Sequence, residues 1–178
     1  MKKSILIVTI STLFISIAPC RDKASGSVYG HRLMNITEFN AAYGLSETDA
    51  LYAKHFIGLT SVFAYGITGG LSAGIGTGIL FYNGGNRLPL FTDIRYKYTF
   101  NKLSVQVFTD GGALVPLSAS DDNMKLFINP GAGLMYSLTG NMYATSCLGL
   151  YLQEGVTHPR DSFINLKVGI IYLFTTRK

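Results

Sequence analysis

Charge is the scarcest ingredient of this chain. Only 14% of its 178 residues are Asp, Glu, Lys or Arg, where an average soluble domain carries roughly a quarter. The shortage is not that of a disordered chain, which pairs high charge with low hydrophobicity, because 48% of the residues are hydrophobic. A long apolar run is missing too. The longest nearly uncharged one, Ile5–Ala18, has 14 residues, and a spanning helix needs about 20. That argues against a helical membrane protein. Tryptophan is absent, while Tyr and Phe reach 11 each. There are only 2 cysteines and 3 histidines, with no Cys/His cluster at metal-ligand spacing, so neither a metal site nor a cofactor is implied. No basic run exists to bind nucleic acid.

What is present begins with a targeting layout. Lys2 and Lys3 precede the apolar run, and Ala18-Pro19-Cys20 follows it. A basic start, a short apolar core and small residues at a cleavage region describe a secretory signal peptide over residues 1–20. Cys20 could alternatively be a lipidated N-terminus, although Pro19 directly before it counts against this. Removal through Cys20 leaves Cys147 alone, so no intramolecular disulfide forms in the mature chain. It also removes Lys2 and Lys3, taking the formal net charge from +5 to +3. Residues 21–33 are small and polar and read as a flexible lead-in.

From 34 to 174 the chain alternates apolar and polar residues in runs of roughly ten, the period of strands rather than helices. Eight strands are expected: Met34–Tyr43, Leu51–Tyr65, Leu71–Tyr82, Leu88–Tyr98, Leu103–Val115, Lys125–Leu138, Met142–Gln153 and Ser162–Phe174. Their connections alternate. Ile67–Gly70, Thr99–Lys102 and Thr139–Asn141 have the chemistry of tight turns. Gly44–Ala50, Asn83–Arg87, Pro116–Asn123 and Glu154–Asp161 read as longer loops. An even number of strands, with short turns at one end and longer loops at the other, predicts an all-β, antiparallel, up-and-down barrel, and a charge-free apolar exterior, for which lipid is the comfortable solvent, makes it a transmembrane one.

Parity says which face is outside. The fourth strand puts Leu88, Leu90, Thr92, Ile94, Tyr96 and Tyr98 on one face and Pro89, Phe91, Asp93, Arg95 and Lys97 on the other. The same division runs through strands two to eight, and no charge stands on the apolar face. The opposite face holds Asp93, Arg95, Lys97, Asp110 and Lys167, with Glu38 joining them if the first strand follows suit. It also holds Gly58, Gly74, Gly76, Gly78, Gly112, Gly131, Gly133, Gly149 and Gly169. Glycine on a water-facing strand is only a cost. Inside a narrow eight-stranded barrel, small residues make room for large ones. Six charged groups of nearly balanced sign would pair there as an interior polar network, since an unpaired buried charge is very costly. Phe91, Arg95, Phe108, Tyr143, Tyr151 and Lys167 would plug the lumen, and the inward glycines would leave room for a narrow water path at most. Outward parity and the short-turn end together collect Phe63, Tyr65, Tyr96, Tyr98, Tyr136, Tyr172 and Phe174. Amphipathic rings in that arrangement predict a membrane-interface girdle. Tyr43 and Phe81 are candidates for a thinner girdle at the far end. A sandwich of two sheets, and a soluble lipocalin-like barrel that binds an apolar ligand, are the alternatives that alternation alone leaves open.

Over about four-fifths of its length the chain resembles the small eight-stranded outer-membrane β-barrels of Gram-negative bacteria, the OmpA/OmpX-like family. The resemblance is carried by the run His55–Phe174, including Phe56–Ser61, Gly74–Gly78 and Pro89–Arg95. The last strand resembles the family's C-terminal targeting signal, with Phe174 preceded at alternate positions by Tyr172, Ile170, Val168 and Leu166. Thr175–Lys178 after that Phe departs from the pattern. The resemblance implies both ends in the periplasm. It further implies outer-membrane lipids and lipopolysaccharide as surroundings, and the barrel assembly machinery as a partner.

Candidate chemistry is thin. His158, Asp161 and Ser162 lie near the loop end, as does His55. A lipid-modifying barrel of the lipid A deacylase or acyltransferase type needs a His near a Ser and an acid. Asp161 and Ser162 are adjacent, however, so in a strand they point opposite ways. Gly74–Gly78 sits inside an alternating strand rather than at a helix start, which argues against a phosphate loop. The expectation is therefore a non-enzymatic outer-membrane barrel, serving envelope structure or surface contact through its outer loops.

Overall fold

A computed structural model of the chain describes residues 31–45, 54–117, 124–154 and 161–174. The signal peptide, Cys20, most of the lead-in, His158 and the last four residues lie outside them. Eight strands run in chain order: β1 Leu33–Gly44, β2 His55–Thr68, β3 Leu71–Tyr82, β4 Gly85–Phe100, β5 Leu103–Pro116, β6 Lys125–Ser137, β7 Met142–Gln153 and β8 Asp161–Leu173. Each pairs antiparallel with its neighbours, and β1 pairs with β8 to close the barrel. Closure excludes the two-sheet sandwich. It also removes every free edge, which an open sheet would have to protect.

The tight turns sit where turn residues stand. Thr68 pairs with Leu71 around Gly69-Gly70, both with positive φ. Phe100 pairs with Leu103 around Asn101-Lys102, and Asn101 takes φ 58°. Glycine and asparagine adopt this conformation most easily, which is why hairpin turns use them. One expected loop is overturned. Asn83–Arg87 is not a long connection, because Tyr82 pairs with Gly85 and leaves a two-residue hairpin at Asn83-Gly84. Arg87 therefore belongs to β4. Asp161 likewise belongs to β8 rather than to a loop. β2 starts at His55, and residues 51–53, expected as strand, lie outside the described residues.

Two prolines interrupt the ladders. No pairing joins β3 to β4 between Thr77↔Leu90 and Leu80↔Arg87, beside Pro89. None joins β6 to β7 between Ile128↔Leu152 and Gly131↔Gly149, beside Pro130. Proline has no N–H to donate, so the ladder loosens at each.

The core lies inside the barrel and is built in layers. Nearest the short-turn end, Met34, Ile36, Val62, Ala64, Met135, Ile171 and Leu173 are buried together. At the loop end, Phe56, Tyr82, Phe91, Phe127, Tyr151 and Phe163 form a second apolar layer. Its rings meet edge to face in Phe56–Tyr151, with centroids 5.0 Å apart, and stacked in Phe127–Tyr151 at 4.9 Å. Such ring pairs add about 0.5–1.5 kcal/mol each beyond their burial. Glycines on neighbouring strands give these rings space. A Cβ at Gly76 would collide with the Phe91 ring, and one at Gly131 would sit 2.5 Å from the Phe108 ring. The inward glycines are thus the floor on which the large residues lie.

Gly131→Val should therefore destabilise the barrel by about 1–3 kcal/mol, the usual cost of overpacking, through its clash with Phe108 and the Leu148 carbonyl. Gly140→Ala, which meets nothing within 4 Å, should leave stability unchanged. Urea unfolding of both variants in lipid vesicles checks the contrast.

Candidate functional site: a charged layer inside an apolar-coated barrel

Between the two apolar layers lies a layer of charge. Strand alternation carries Glu38, Asp93, Arg95, Lys97, Asp110 and Lys167 inward from four strands, and all six are buried. Arg95 is fully buried, at 0% exposure. Its guanidinium forms a two-pronged pair with Glu38, donating to Oε1 at 2.7 Å and Oε2 at 2.9 Å. Its Nε donates to both Asp93 oxygens, at 3.0 and 2.9 Å. Lys167 bridges Glu38 at 2.8 Å and Asp110 at 2.7 Å. The network thus links β1, β4, β5 and β8 across the lumen. Phe108 joins it as an apolar partner, with the Lys167 ammonium 4.7 Å and the Arg95 guanidinium carbon 5.5 Å from its ring centroid. Both distances suit cation–π attraction. Lys97 places its ammonium 5.3 Å from the Tyr143 ring centroid.

Local geometry explains why this layer fits. Glu38 lies opposite Gly169 in the β1–β8 register. A Cβ there would come within 2.8 Å of the Glu38 Cγ, so the missing side chain is what lets the carboxylate lean toward Arg95. Neutral amides and hydroxyls complete the shell. Asn129 donates to Asp110 at 3.1 Å, Asn40 donates to Thr60 at 2.9 Å, and Asn165 donates to Asn40 at 3.3 Å. Toward the short-turn end, Gln106 donates to Thr145 at 2.5 Å and approaches Cys147 Sγ at 3.0 Å. Cys147 is a free, buried thiol.

Several of these polar residues escaped the sequence reading. Asn40, Thr60, Gln106, Asn129, Thr145 and Asn165 share the inward parity but carry no charge to draw attention. Arg87, Lys125 and Asp161 are also buried, with Gln153, near the loop end. Gln153 accepts from Tyr82 at 2.9 Å and donates to Asp161 at 3.4 Å. Arg87 and Asp161 each fell one residue outside an expected strand, so their parity went unread. Lys125 already stood at an inward position of its strand.

The outer face carries the expected aromatics. Phe63, Tyr65, Tyr96, Tyr98, Tyr136, Tyr172 and Phe174 are all exposed and all lie toward the short-turn end. Phe63 and Phe174 approach to 5.9 Å between centroids, and Tyr172 and Phe174 to 5.3 Å. Phe100, unanticipated, joins them through Tyr98 at 4.6 Å. Tyr43 and Phe81 are exposed at the other end. Between the two ends the outward positions are chiefly Leu, Ile, Val and Phe.

The residues considered for acyl chemistry do not converge. Asp161 points into the barrel, where Gln153 donates to it, while Ser162 takes the opposite parity and is half-buried. His55 opens β2 and is exposed. His31 lies at the other end, 3.3 Å from the Tyr65 hydroxyl. Among the described residues no group of His, Cys, Asp and Glu could hold a metal ion.

No protein-family model and no curated protein sequence matches the chain. Solved structures match its fold. Neisserial surface protein A aligns at TM-score 0.56 and 10% identity, over 80% of this chain and 96% of that one. The outer membrane protein OprG from Pseudomonas aeruginosa aligns at TM-score 0.52 and 9% identity, over 83% of this chain and 98% of that one.

Removing one partner of the charged layer should be severe. Arg95→Met leaves Glu38 and Asp93 without their shared cation and should cost about 3–5 kcal/mol. Glu38→Gln combined with Arg95→Met should cost less than the two single changes added together, because the residues are directly coupled. Urea unfolding of the four-member cycle in vesicles measures that coupling.

Proposed function

Starting from a chain with the fold of the small eight-stranded outer-membrane barrels, we propose that it is a non-enzymatic integral protein of the Gram-negative outer membrane. Its role is in envelope structure or in surface contact through the loops opposite the short turns. One observation carries this reading: the closed barrel is inside out relative to a soluble one. Its charges are paired in the lumen, while its outward face presents Leu59, Leu90, Ile94, Val107, Leu134, Leu148, Leu166 and Val168 at 40–56% exposure. A monomeric soluble protein rarely exposes contiguous apolar area beyond a few hundred Å². An apolar belt that circles the molecule matches hydrocarbon as its solvent.

The rest of the reading follows from that belt. The aromatic girdle at the short-turn end anchors the barrel at the inner interface, which puts both chain ends in the periplasm. The N-terminal layout supplies export, and the last strand supplies the signal read by the assembly machinery. Lipids and lipopolysaccharide are then the molecules in contact with the outer face. The packed lumen favours a structural or adhesive role over transport, since two apolar layers enclose the charged one. The acyl-enzyme reading has no support in the geometry, because Asp161 and Ser162 face opposite sides of the barrel wall.

Two measurements test this. Membrane-fractionated protein should run faster unheated than boiled on a detergent gel, as closed barrels do; a soluble product with no such shift would sink the proposal. Val168→Arg should cost about 2–4 kcal/mol of stability in a bilayer. In a water-facing barrel the same change at this half-exposed position would fall within about 0.5 kcal/mol of neutral.

A further inference from the structure

We infer that the short-turn end of the barrel is a docking surface for phospholipids with net negative headgroups. This rests on the membrane reading above and adds the class of headgroup that the inner rim selects. Formal charge is divided unevenly along the barrel. The long connections at the loop end, 45–54, 117–124 and 154–160, carry Glu47, Asp49, Asp121, Asp122 and Glu154 against Lys54 and Arg160, a net charge of −3. The short-turn end has the opposite sign. The stretch 21–32 before β1 brings Arg21, Lys23 and Arg32 against Asp22, the β4–β5 turn brings Lys102, and Arg177 and Lys178 follow β8. Six cations against one acid make +5.

Two of these cations stand on the described rim, and both are exposed: Arg32 and Lys102. Backbone bonds fix them to the barrel. The Arg32 carbonyl accepts from the Gly66 N–H and the Lys102 carbonyl from the Ser137 N–H, each at 2.9 Å. Among the described residues no acid stands at this end, and neither cation is held in an ion pair. Both lie beside the aromatic girdle. Lys102 comes two positions after Phe100, whose ring is 4.6 Å from that of Tyr98. Arg32 follows His31, whose Nδ1 is 3.3 Å from the Tyr65 hydroxyl. Amphipathic rings settle at headgroup level, so cations just beyond them stand among the phosphates.

The placement favours lipid over a soluble acidic partner. Arg32 opens onto β1 and Lys102 lies between β4 and β5, on far sides of a closed ring of eight strands. One compact ligand does not reach both. An annulus of separate headgroups does, because every point of the rim has a lipid beside it. Lysine and arginine also suit this position, since their long stems lie along apolar surface while the charge reaches the interface. Each such cation near an anionic surface adds attraction that fades within a Debye length. The acidic loop end adds none, so the preference belongs to one leaflet.

Electron spin resonance of the barrel in phosphatidylcholine vesicles reads this directly. A trace of phosphatidylglycerol or phosphatidylcholine, spin-labelled on its acyl chain, reports the fraction of each lipid slowed by the protein. At low salt phosphatidylglycerol should be enriched at the barrel by about twofold or more. Sodium chloride at about 1 M should remove the difference, because the Debye length falls to about 3 Å. Arg32→Gln with Lys102→Gln should lower the preference, and adding Arg177→Gln and Lys178→Gln should lower it further. Lys54→Gln, at an exposed cation of the loop end, should leave it unchanged. Slowed lipid of both kinds without preference would leave the membrane assignment standing and overturn this proposal alone, giving the basic end to a soluble acidic partner or to none. No slowed lipid of either kind would overturn both. A preference that survives the four-residue variant, or falls with Lys54→Gln, would place the selectivity elsewhere and overturn the proposal equally.

Discussion

A closed sheet of eight strands leaves a lumen about one layer of side chains across, and filling it without strain is the constraint from which the other features follow. Alternate residues of every strand must enter that space. If all were large they would collide; if all were small the lumen would be hollow. The chain meets the constraint by setting glycines against bulk. Phe91 lies over Gly76, Phe108 over Gly131, and Glu38 leans across Gly169. This use of glycine makes the composition intelligible, since an exposed strand gains nothing from so many.

Filling the lumen also dictates its electrostatics. A few charged residues at mid-height tie opposite walls together, as Arg95 ties β4 to β1 and Lys167 ties β8 to β1 and β5. Burying such groups costs several kcal/mol per ion before pairing. The network is therefore weak evidence for stability in itself. Its stronger effect is on specificity: a strand shifted by one residue would expel its charge into the outer face and separate the partners. The apolar layers above and below keep water from competing for those pairs. The same inward commitment leaves the outer face without charge, which is what makes hydrocarbon a suitable solvent for it.

Much of this was legible in the sequence because its period matches the geometry. Alternation over Leu88–Tyr98 and Ser162–Phe174 located the strands, and the placement of Asp93, Arg95 and Lys167 told inside from outside. Boundaries were harder. Arg87 and Asp161 looked like loop residues because polar neighbours surround them, yet the ladder runs one or more residues farther than the apolar pattern. The Asn83-Gly84 hairpin was hidden for the same reason: Gly85 and Asn86 look like loop chemistry but pair with Tyr82 and Phe81. Partner identities were not legible at all. That Arg95 meets Glu38, 57 positions away, depends on closure between the first and last strands and on stagger around the barrel, which no local pattern encodes. The uncharged members of the layer, such as Asn129 and Gln106, were visible only as inward positions.

The central claim is that lipid touches one parity of the strands and the packed lumen takes the other. Cross-relaxation between lipid acyl-chain protons and methyl groups of the protein in a bilayer tests it without altering a residue. Transfer is expected to Ile57, Leu59, Ile94, Val107, Val168 and Ile170, which face outward. None is expected to Ile36, Val62, Leu114, Ile171 and Leu173, which are fully or almost fully buried. Transfer to the second set, or water contact at the first, would contradict the account.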